Sequence, residues 1–239
     1  MSSVSISTSK LTIGYGEAVV QRDLSFSLQR GEMVCMLGPN GCGKSTLLRT
    51  LAGLQPALAG DFTHCDAKNI ALVLTERVSM DNTTVHDVVA MGRYPYTSFL
   101  GGLTNKDEEI IAQALRQVGF ADSSVSATMF NAHSDGEKQR ILIAKALAQQ
   151  TPIVLLDEPT AHLDLPHRIL ILRLLRRLAH EQEKTILIST HELDLALALS
   201  DRILLMTPHK GIRLDSAEAL KKADAFTDAF GMDIFNPLD

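Results

Sequence analysis

The chain has 239 residues, which is enough for one large domain or for one domain with a sizeable insertion. Its hydrophobic content of 45 % suits a packed core, and its net charge of −5 argues against a nucleic-acid-binding protein, which is normally basic. Three cysteines without a C-x-x-C pair predict neither a zinc site nor a disulfide framework, and free thiols are typical of a reducing cytosol. Neither a signal peptide nor an apolar run of roughly 20 residues is recognisable, so we expect that a partner anchors the protein if it works at a membrane.

The first part of the chain predicts strands that lead to a glycine-rich loop. Residues 6–13 and 24–28 alternate apolar with polar side chains, which is the pattern of half-buried strands. An apolar run at residues 33–37 predicts a buried strand, and residues 46–52 have a helical pattern. A further strand is expected at residues 70–74.

Between the strand at 33–37 and the following helix lies the pattern G-x-x-x-x-G-K-S, which in this context is typical of a phosphate-binding loop. A nucleoside triphosphate carries about four negative charges, so a loop can hold it only by offering many donors at once. Lys44 can reach the β- and γ-phosphates, and the Ser45 hydroxyl suits a magnesium ion. The predicted nucleotide-contacting residues are Gly38, Pro39, Asn40, Gly41, Cys42, Gly43, Lys44 and Ser45.

Residues from about 77 to 150 predict a helical subdomain inserted into an α/β core. Thr104 and Ser134 each precede an acidic residue by three positions, and these two capping boxes predict helix starts. A short helix is expected at residues 85–91, whereas residues 92–102 are too rich in Pro, Gly and aromatic side chains for a regular element.

The last third of the chain returns to alternating strands and helices. Residues 153–157 are a short apolar run typical of a central parallel strand, and two more strands are expected at 185–189 and 202–206. A long amphipathic helix begins near Pro166. We predict an α/β fold in which a P-loop NTPase core has a mixed, mainly parallel sheet flanked by helices. An N-terminal antiparallel β region and the helical subdomain complete a single domain over residues 1–239.

Three residues at predicted strand ends indicate hydrolytic chemistry. Asp157 ends an apolar strand, where open α/β sheets bind ligands, and its carboxylate can hold magnesium. Glu158 points elsewhere and can polarise an attacking water as a general base. His191 follows the next predicted strand and is expected on the same edge of the sheet, in contact with the γ-phosphate.

Together these motifs resemble, over the whole chain, the nucleotide-binding subunit of an ATP-binding-cassette (ABC) transporter. The resemblance rests on the phosphate loop from Gly38 to Thr46, Leu155-Leu156-Asp157-Glu158-Pro159-Thr160, Ala161-His162-Leu163-Asp164, His191, and Ser134-Asp135-Gly136-Glu137-Lys138-Gln139-Arg140. The last of these segments is similar to the family's signature L-S-G-G-[EQ] and is the most discriminating, because a phosphate loop alone occurs in many NTPases.

The resemblance implies ATP and Mg²⁺ as ligands, ATP hydrolysis, and a symmetric head-to-tail homodimer that holds two ATP molecules between its subunits. Ser134, Gly136 and Glu137 of one copy are then expected to face the nucleotide bound to the other copy. Asp164 and Tyr15 are expected as further nucleotide contacts, with the Tyr15 ring stacked on adenine.

Two positions depart from the family's pattern. The signature usually reads Leu-Ser-Gly-Gly, whereas this chain has His133-Ser134-Asp135-Gly136, which brings a carboxylate beside the γ-phosphate site. Glu76 stands where the family carries a glutamine, and a carboxylate cannot donate the hydrogen bonds of an amide. Because a carboxylate can still reach magnesium, Glu76 is retained as a predicted catalytic and metal-binding residue.

The segment Met91-Gly92-Arg93-Tyr94-Pro95-Tyr96 resembles the G-R-x-P stretch of importers for iron–siderophore complexes, haem and cobalamin. This resemblance implies a peripheral ATPase at the cytoplasmic face of the inner (cell) membrane. Its partners would be integral-membrane permease subunits and, indirectly, a periplasmic substrate-binding protein, with no nucleic acid. Two alternatives stay open: an ABC exporter ATPase subunit, which predicts no G-R-x-P stretch, and a non-transport ABC ATPase such as a cluster-assembly scaffold.

Overall fold

The structure, a computed structural model, describes residues 3–63, 69–74, 80–97, 102–208 and 211–235. Glu76, a predicted site residue, and Cys65 lie outside these ranges. The described strands are β1 (Val4–Tyr15), β2 (Ala18–Gln29), β3 (Met33–Leu37), β4 (Ala59–Thr63), β5 (Ile70–Val73), β6 (Ile153–Asp157), β7 (Thr185–Ser189), β8 (Arg202–Thr207) and β9 (Gly211–Asp215). The described α-helices are α1 (Lys44–Leu51), α2 (Val85–Ala90), α3 (Asn105–Gln117), α4 (Asp135–Ala148), α5 (Leu165–Gln182), α6 (Leu193–Leu199), α7 (Ala217–Lys222) and α8 (Ala225–Phe230).

The N-terminal strands form an antiparallel sheet in the order β2-β1-β4, which confirms the predicted antiparallel region. Leu11 and Ile13 of β1 and Leu24 and Leu28 of β2 are fully buried in one hydrophobic core. Both strands are longer than their alternating segments, because the antiparallel ladder continues beyond the apolar residues that mark it in the sequence.

A second sheet carries the strands in the order β5-β6-β7-β3-β8-β9, with β9 antiparallel to β8 and the other described pairs parallel. Val34 and Met36 of β3 belong to one hydrophobic core and Cys35 and Leu37 to another, because successive side chains of a strand point to opposite faces. Parallel strands end at the same edge of a sheet, so the segments after β3, β6 and β7 are brought together. The predicted mixed, mainly parallel sheet flanked by helices is confirmed.

Helices α2, α3 and α4 pack on one another, and α4 also contacts β5. The predicted capping boxes at Thr104 and Ser134 are present, with hydrogen bonds in both directions between the cap and the acidic residue. A third capping box joins Thr84 to Asp87 at the start of α2.

Residues Met91–Tyr96 form a 3-10 helix, so the prediction that residues 92–102 contain no regular element is wrong for this part. Arg93 fixes the 3-10 helix from inside the protein, since its guanidinium donates to Asp107 Oδ1 and to the Ala148 carbonyl, both at 2.8 Å. Pro95 lacks a backbone N–H group, but the 3-10 helix is short and loses little from one missing donor.

The C-terminal region contains two elements that the sequence patterns do not indicate. Strand β9 pairs with β8, and α8 packs on β8 with Phe226 buried. Helix α7 begins after Ser216, whose hydroxyl accepts from the Ala219 N–H. In the described ranges, no helix combines the length and apolar character needed to cross a membrane.

Candidate nucleotide-binding and catalytic site

The phosphate loop joins β3 to α1, and close contacts require two of its glycines. Gly38 has a φ of +155°, and a Cβ atom there would lie 2.6 Å from the Met206 carbonyl oxygen. Gly43 has a φ of +104°, and a Cβ atom there would lie 2.8 Å from Val20 Cγ1. Any larger residue at either position would displace the loop from β8 or from β2.

Lys44, the first residue of α1, brings a positive charge into this loop. Its side chain is buried, and Nζ donates to the Gly38 carbonyl at 2.8 Å and to the Pro39 carbonyl at 3.2 Å. The ammonium group therefore lies beside the N-terminus of α1, where the first backbone N–H groups have no partner within the helix. A lysine, a glycine-rich turn and a helix N-terminus in one place fit a triphosphate.

Gln21 of β2 holds the backbone of the phosphate loop in place. The side chain is 2 % exposed, and its Nε2 donates to the Cys42 carbonyl at 3.0 Å and to the Thr207 carbonyl at 3.1 Å. Gln21 thus ties the loop to the end of β8.

Burial raises the pKa of the Cys42 thiol, which therefore stays protonated at neutral pH.

Asp157 and Glu158 lie at the end of β6, where Ser189 of β7 contacts both residues. Ser189 Oγ donates to Asp157 Oδ1 at 2.5 Å and accepts from the Glu158 backbone N–H at 2.9 Å. Asp157 is buried, whereas the Glu158 side chain is 29 % exposed. Glu158 has a φ of +46°, so the chain leaves the strand direction there and the two carboxylates point to different partners.

His191 lies on the same edge of the sheet as the two acids. Its Nε2 is 2.5 Å from Glu158 Oε1, and the imidazole is 45 % exposed. The pair is therefore accessible from solvent while its backbone is fixed by β6 and β7. A carboxylate and an imidazole in contact can position a water molecule and accept its proton.

A magnesium ion bound here would combine a few protein oxygen ligands with ligands from phosphate and water. No group of three or more His, Cys, Asp or Glu side chains suited to a metal occurs in the part of the chain that the structure describes. Ser45 and Asp157 supply oxygen ligands of the type that Mg²⁺ prefers, and this ion is usually held by few protein groups together with phosphate and water. These residues fit an ion that arrives with a nucleotide.

Tyr15 and Thr46 lie next to each other beside the phosphate loop. The Tyr15 ring, at the end of β1, is 52 % exposed, and its hydroxyl shares a hydrogen bond with Thr46 Oγ1 at 3.0 Å. This hydrogen bond fixes the phenol end of the ring, so the exposed ring can stack on a flat partner.

The signature-like segment begins α4, on a different element from the phosphate loop. Ser134 Oγ donates to Glu137 Oε2 at 2.8 Å, and the Ser134 N–H donates to the same oxygen at 3.0 Å. The backbone N–H is the main reason why the pKa of Glu137 is lowered. Because the hydroxyl proton of Ser134 is directed at Glu137, it must turn before it can contact a phosphate.

Asp164 is the N-cap of α5, and its carboxylate accepts from the His167 N–H at 3.2 Å. A hydrogen bond with the His167 side chain is the main cause of the lowered pKa of Asp164. The Asp164 carboxylate is therefore engaged by its own helix, next to Gly136 of the signature-like segment, on which the His167 ring packs.

A protein-family model described as "ABC transporter" matches residues 21–161. The chain belongs to the ABC transporter family. An uncharacterised ABC transporter ATP-binding protein of Methanocaldococcus jannaschii is 40 % identical over 95 % of this ABC chain and 81 % of its own length. The iron(3+)-hydroxamate import ATP-binding protein of Bacillus subtilis is 37 % identical, over 96 % of this chain and 88 % of its own.

Among solved structures, a metal-chelate type ABC transporter in an inward-facing conformation has a TM-score of 0.87 and 29 % identity, covering 96 % of this chain and 90 % of that one. These similarities extend beyond the residues that the family model matches. ATP-binding subunits of this family are ATPases coupled to transport, and this ABC chain is therefore an ATPase.

Two residues of the site escape the sequence patterns. Ser189 could have been inferred, since it ends the strand before His191 and lies opposite Asp157 in the parallel register. Gln21 could not, because the carbonyl groups it contacts belong to residues 42 and 207, far away along the chain. Glu76 has no described position and stays a prediction.

Proposed function

We propose that this chain is the ATP-hydrolysing subunit of an ABC importer that takes up an iron–siderophore complex or the related compounds haem and cobalamin. The observation that carries the proposal is the meeting of the phosphate loop, Asp157, Glu158 and His191 at one sheet edge. The hydroxamate-import relative supports the direction of transport. That relative and the metal-chelate type transporter both support the class of substrate.

The phosphate loop binds the triphosphate through its backbone N–H groups and Lys44, and Tyr15 stacks on adenine. Ser45 and Asp157 hold the magnesium ion, with Glu76 as a further candidate. When bound, this ion neutralises charge on the phosphate oxygens. The contacts of the buried Lys44 ammonium with the Gly38 and Pro39 carbonyls support its role in phosphate binding. An ammonium group already held against the loop backbone needs little rearrangement to meet a phosphate.

Glu158 accepts the proton of the attacking water, and His191 holds the Glu158 carboxylate and contacts the γ-phosphate. The 2.5 Å contact between Glu158 and His191 supports this division of roles, since it fixes the carboxylate from one side only. Ser189 anchors both acids to β7, so the general base and the magnesium ligand move as one unit.

Hydrolysis requires two copies of the chain. Ser134, Gly136 and Glu137 begin a helix, and helix N-termini suit anions, yet α1 already supplies the helix N-terminus of the phosphate loop in the same copy. The signature-like segment therefore faces ATP bound to a second copy, and Asp164 lies at the same interface. ATP stabilises the closed homodimer by mass action, and its hydrolysis releases the two subunits.

The helical subdomain at about 77–150 receives the membrane permease within the single ATPase domain. Tyr94 and Tyr96 are 61 % and 51 % exposed and form an aromatic patch suited to a partner helix. Arg93 of the same segment is buried, so it does not face the partner, and its guanidinium lies over the Tyr96 ring and supports it from inside the protein. The ATPase is then peripheral, at the cytoplasmic face of the inner membrane, and works with a periplasmic substrate-binding protein only through the permease.

Reconstitution with a candidate permease, a multi-spanning membrane protein sought among the neighbouring reading frames, tests the proposal. We expect the chain to co-purify with this permease and to drive ATP-dependent uptake of a ferric hydroxamate, haem or cobalamin into proteoliposomes. Lys44→Ala, expected to abolish uptake, is the control for ATP dependence. Recovery with soluble partners only would overturn the transport role, and export of lipid or peptide would overturn the direction.

A further inference from the structure

His167, near the start of α5, packs on the backbone of the signature-like segment. A Cβ atom added to Gly136 would lie 2.6 Å from His167 Cδ2 and 3.0 Å from His167 Cγ. Contacts this short leave room only for glycine, so the imidazole ring lies directly against the first turn of α4.

Asp164 fixes the orientation of this ring. One carboxylate oxygen of Asp164 accepts from the His167 backbone N–H at 3.2 Å and also forms a hydrogen bond with the ring Nδ1. Asp164 is the last residue of the turn segment that follows Glu158. Within this segment, the Ala161 N–H donates to the Glu158 carbonyl at 3.0 Å. A short series of contacts therefore leads from Glu158 to Gly136.

Beyond this contact, an open groove of about 470 Å³ runs along α5, where Ile169, Leu170 and Arg173 line it. Its other wall consists of Arg140 of α4 and of Val118 and Gly119, which follow α3. Because α4 and α5 have few close contacts with each other, the His167 ring is a main contact between the first turn of α4 and α5.

We infer that His167 is a positioning residue that sets the signature-like segment relative to the segment carrying Glu158. This inference rests on the proposed function, in which the signature-like segment of one copy contacts ATP bound to the other. The described contacts of His167 are with Asp164 and Gly136, which do not belong to the phosphate loop. Its loss should therefore spare ATP binding by one copy and weaken the association of two.

The test compares variants made in the Glu158→Gln chain, which is expected to hold ATP without turnover. His167→Ala removes both the ring and its hydrogen bond, whereas His167→Phe keeps a ring and loses the hydrogen bond. His180→Ala is the matched control, because His180 is also on α5 and also pairs with a carboxylate, that of Asp201. The His180 side chain is 44 % exposed and the His167 side chain 45 %.

Two quantities are measured for each variant: the affinity of the dilute monomer for a fluorescent ATP analogue, and the dimer dissociation constant at saturating ATP by analytical ultracentrifugation. We expect monomer affinities and melting temperatures to match the Glu158→Gln parent. His167→Ala should weaken dimerisation about tenfold, His167→Phe about threefold or less, and His180→Ala not at all. With Glu158 intact, His167→Ala should lower kcat while KM for ATP changes less than about twofold.

Equal dimerisation of His167→Ala and its parent would overturn the inference, and so would an equal loss in His180→Ala. A loss in His167→Phe as large as that in His167→Ala would also overturn it, since the ring contact would then not matter. If the Glu158→Gln parent itself fails to dimerise with ATP, the proposed function is contradicted instead, so the two failures are distinguishable.

Discussion

Replacing Gln21 with methionine removes both hydrogen bonds of its side chain, one to the phosphate loop at Cys42 and one to the end of β8 at Thr207. Each neutral buried hydrogen bond contributes about 1 kcal/mol to stability, so the loss of two costs about 2 kcal/mol. Methionine has a similar shape and also removes Gln21 Oε1, which is buried without a hydrogen-bond partner among the described residues. Relief of that group returns about 1 kcal/mol, because burying an unpaired polar atom is unfavourable.

The net expectation for Gln21→Met is a loss of about 1 kcal/mol in the free energy of unfolding. Urea unfolding of the purified chain, followed by circular dichroism, measures this difference. ATP affinity should fall about threefold as well, since the Cys42 carbonyl in the loop loses its anchor. Gln113→Met, at an exposed position of α3, is the control and should leave both quantities unchanged. A Gln21→Met chain as stable as the parent, with equal ATP affinity, would refute the anchoring role.

Three further predictions concern single groups. Lys44→Ala should lose ATP binding by more than about tenfold in isothermal titration, because the buried ammonium is the main positive charge of the loop; unchanged affinity would exclude a phosphate role. Glu158→Gln should bind ATP at the parental affinity and hydrolyse it at least about a hundredfold more slowly, and parental turnover would remove Glu158 as the base. Asp107 has its pKa lowered from 3.8 to about 2, chiefly by the Thr104 hydroxyl, so its stabilisation is complete above about pH 4 and is lost as the pH falls towards 2. Thr104→Ala should therefore shift the acid-unfolding midpoint to higher pH, and an unchanged midpoint would contradict this cause.

Much of the fold follows from local rules that sequence patterns express directly. The phosphate loop, the apolar strands and the capping boxes at Thr104 and Ser134 depend on residues within a few positions of one another. Residues 91–96 form a 3-10 helix although their composition predicts no regular element. The contacts of the buried Arg93 with Asp107 and Ala148 outweigh the weak helical tendency of Gly and Pro. Long-range contacts of this kind cannot be deduced from periodicity.

The candidate site divides in the same way. Asp157, Glu158 and His191 could be placed at one edge because parallel strands end together. The contact of Gln21 with residue 207 and that of His167 with Gly136 depend on side-chain packing between distant elements. Such contacts decide how rigidly the site is held, and the sequence alone does not express them.

In the proposed mechanism, a single copy contains only part of each site for ATP hydrolysis. Specific ATPase activity can be measured across a wide range of protein concentrations, at saturating ATP and magnesium. We expect activity per subunit to rise with concentration and to reach a plateau once ATP-bound copies pair. Activity per subunit that stays constant down to concentrations at which ultracentrifugation detects monomer alone would contradict it.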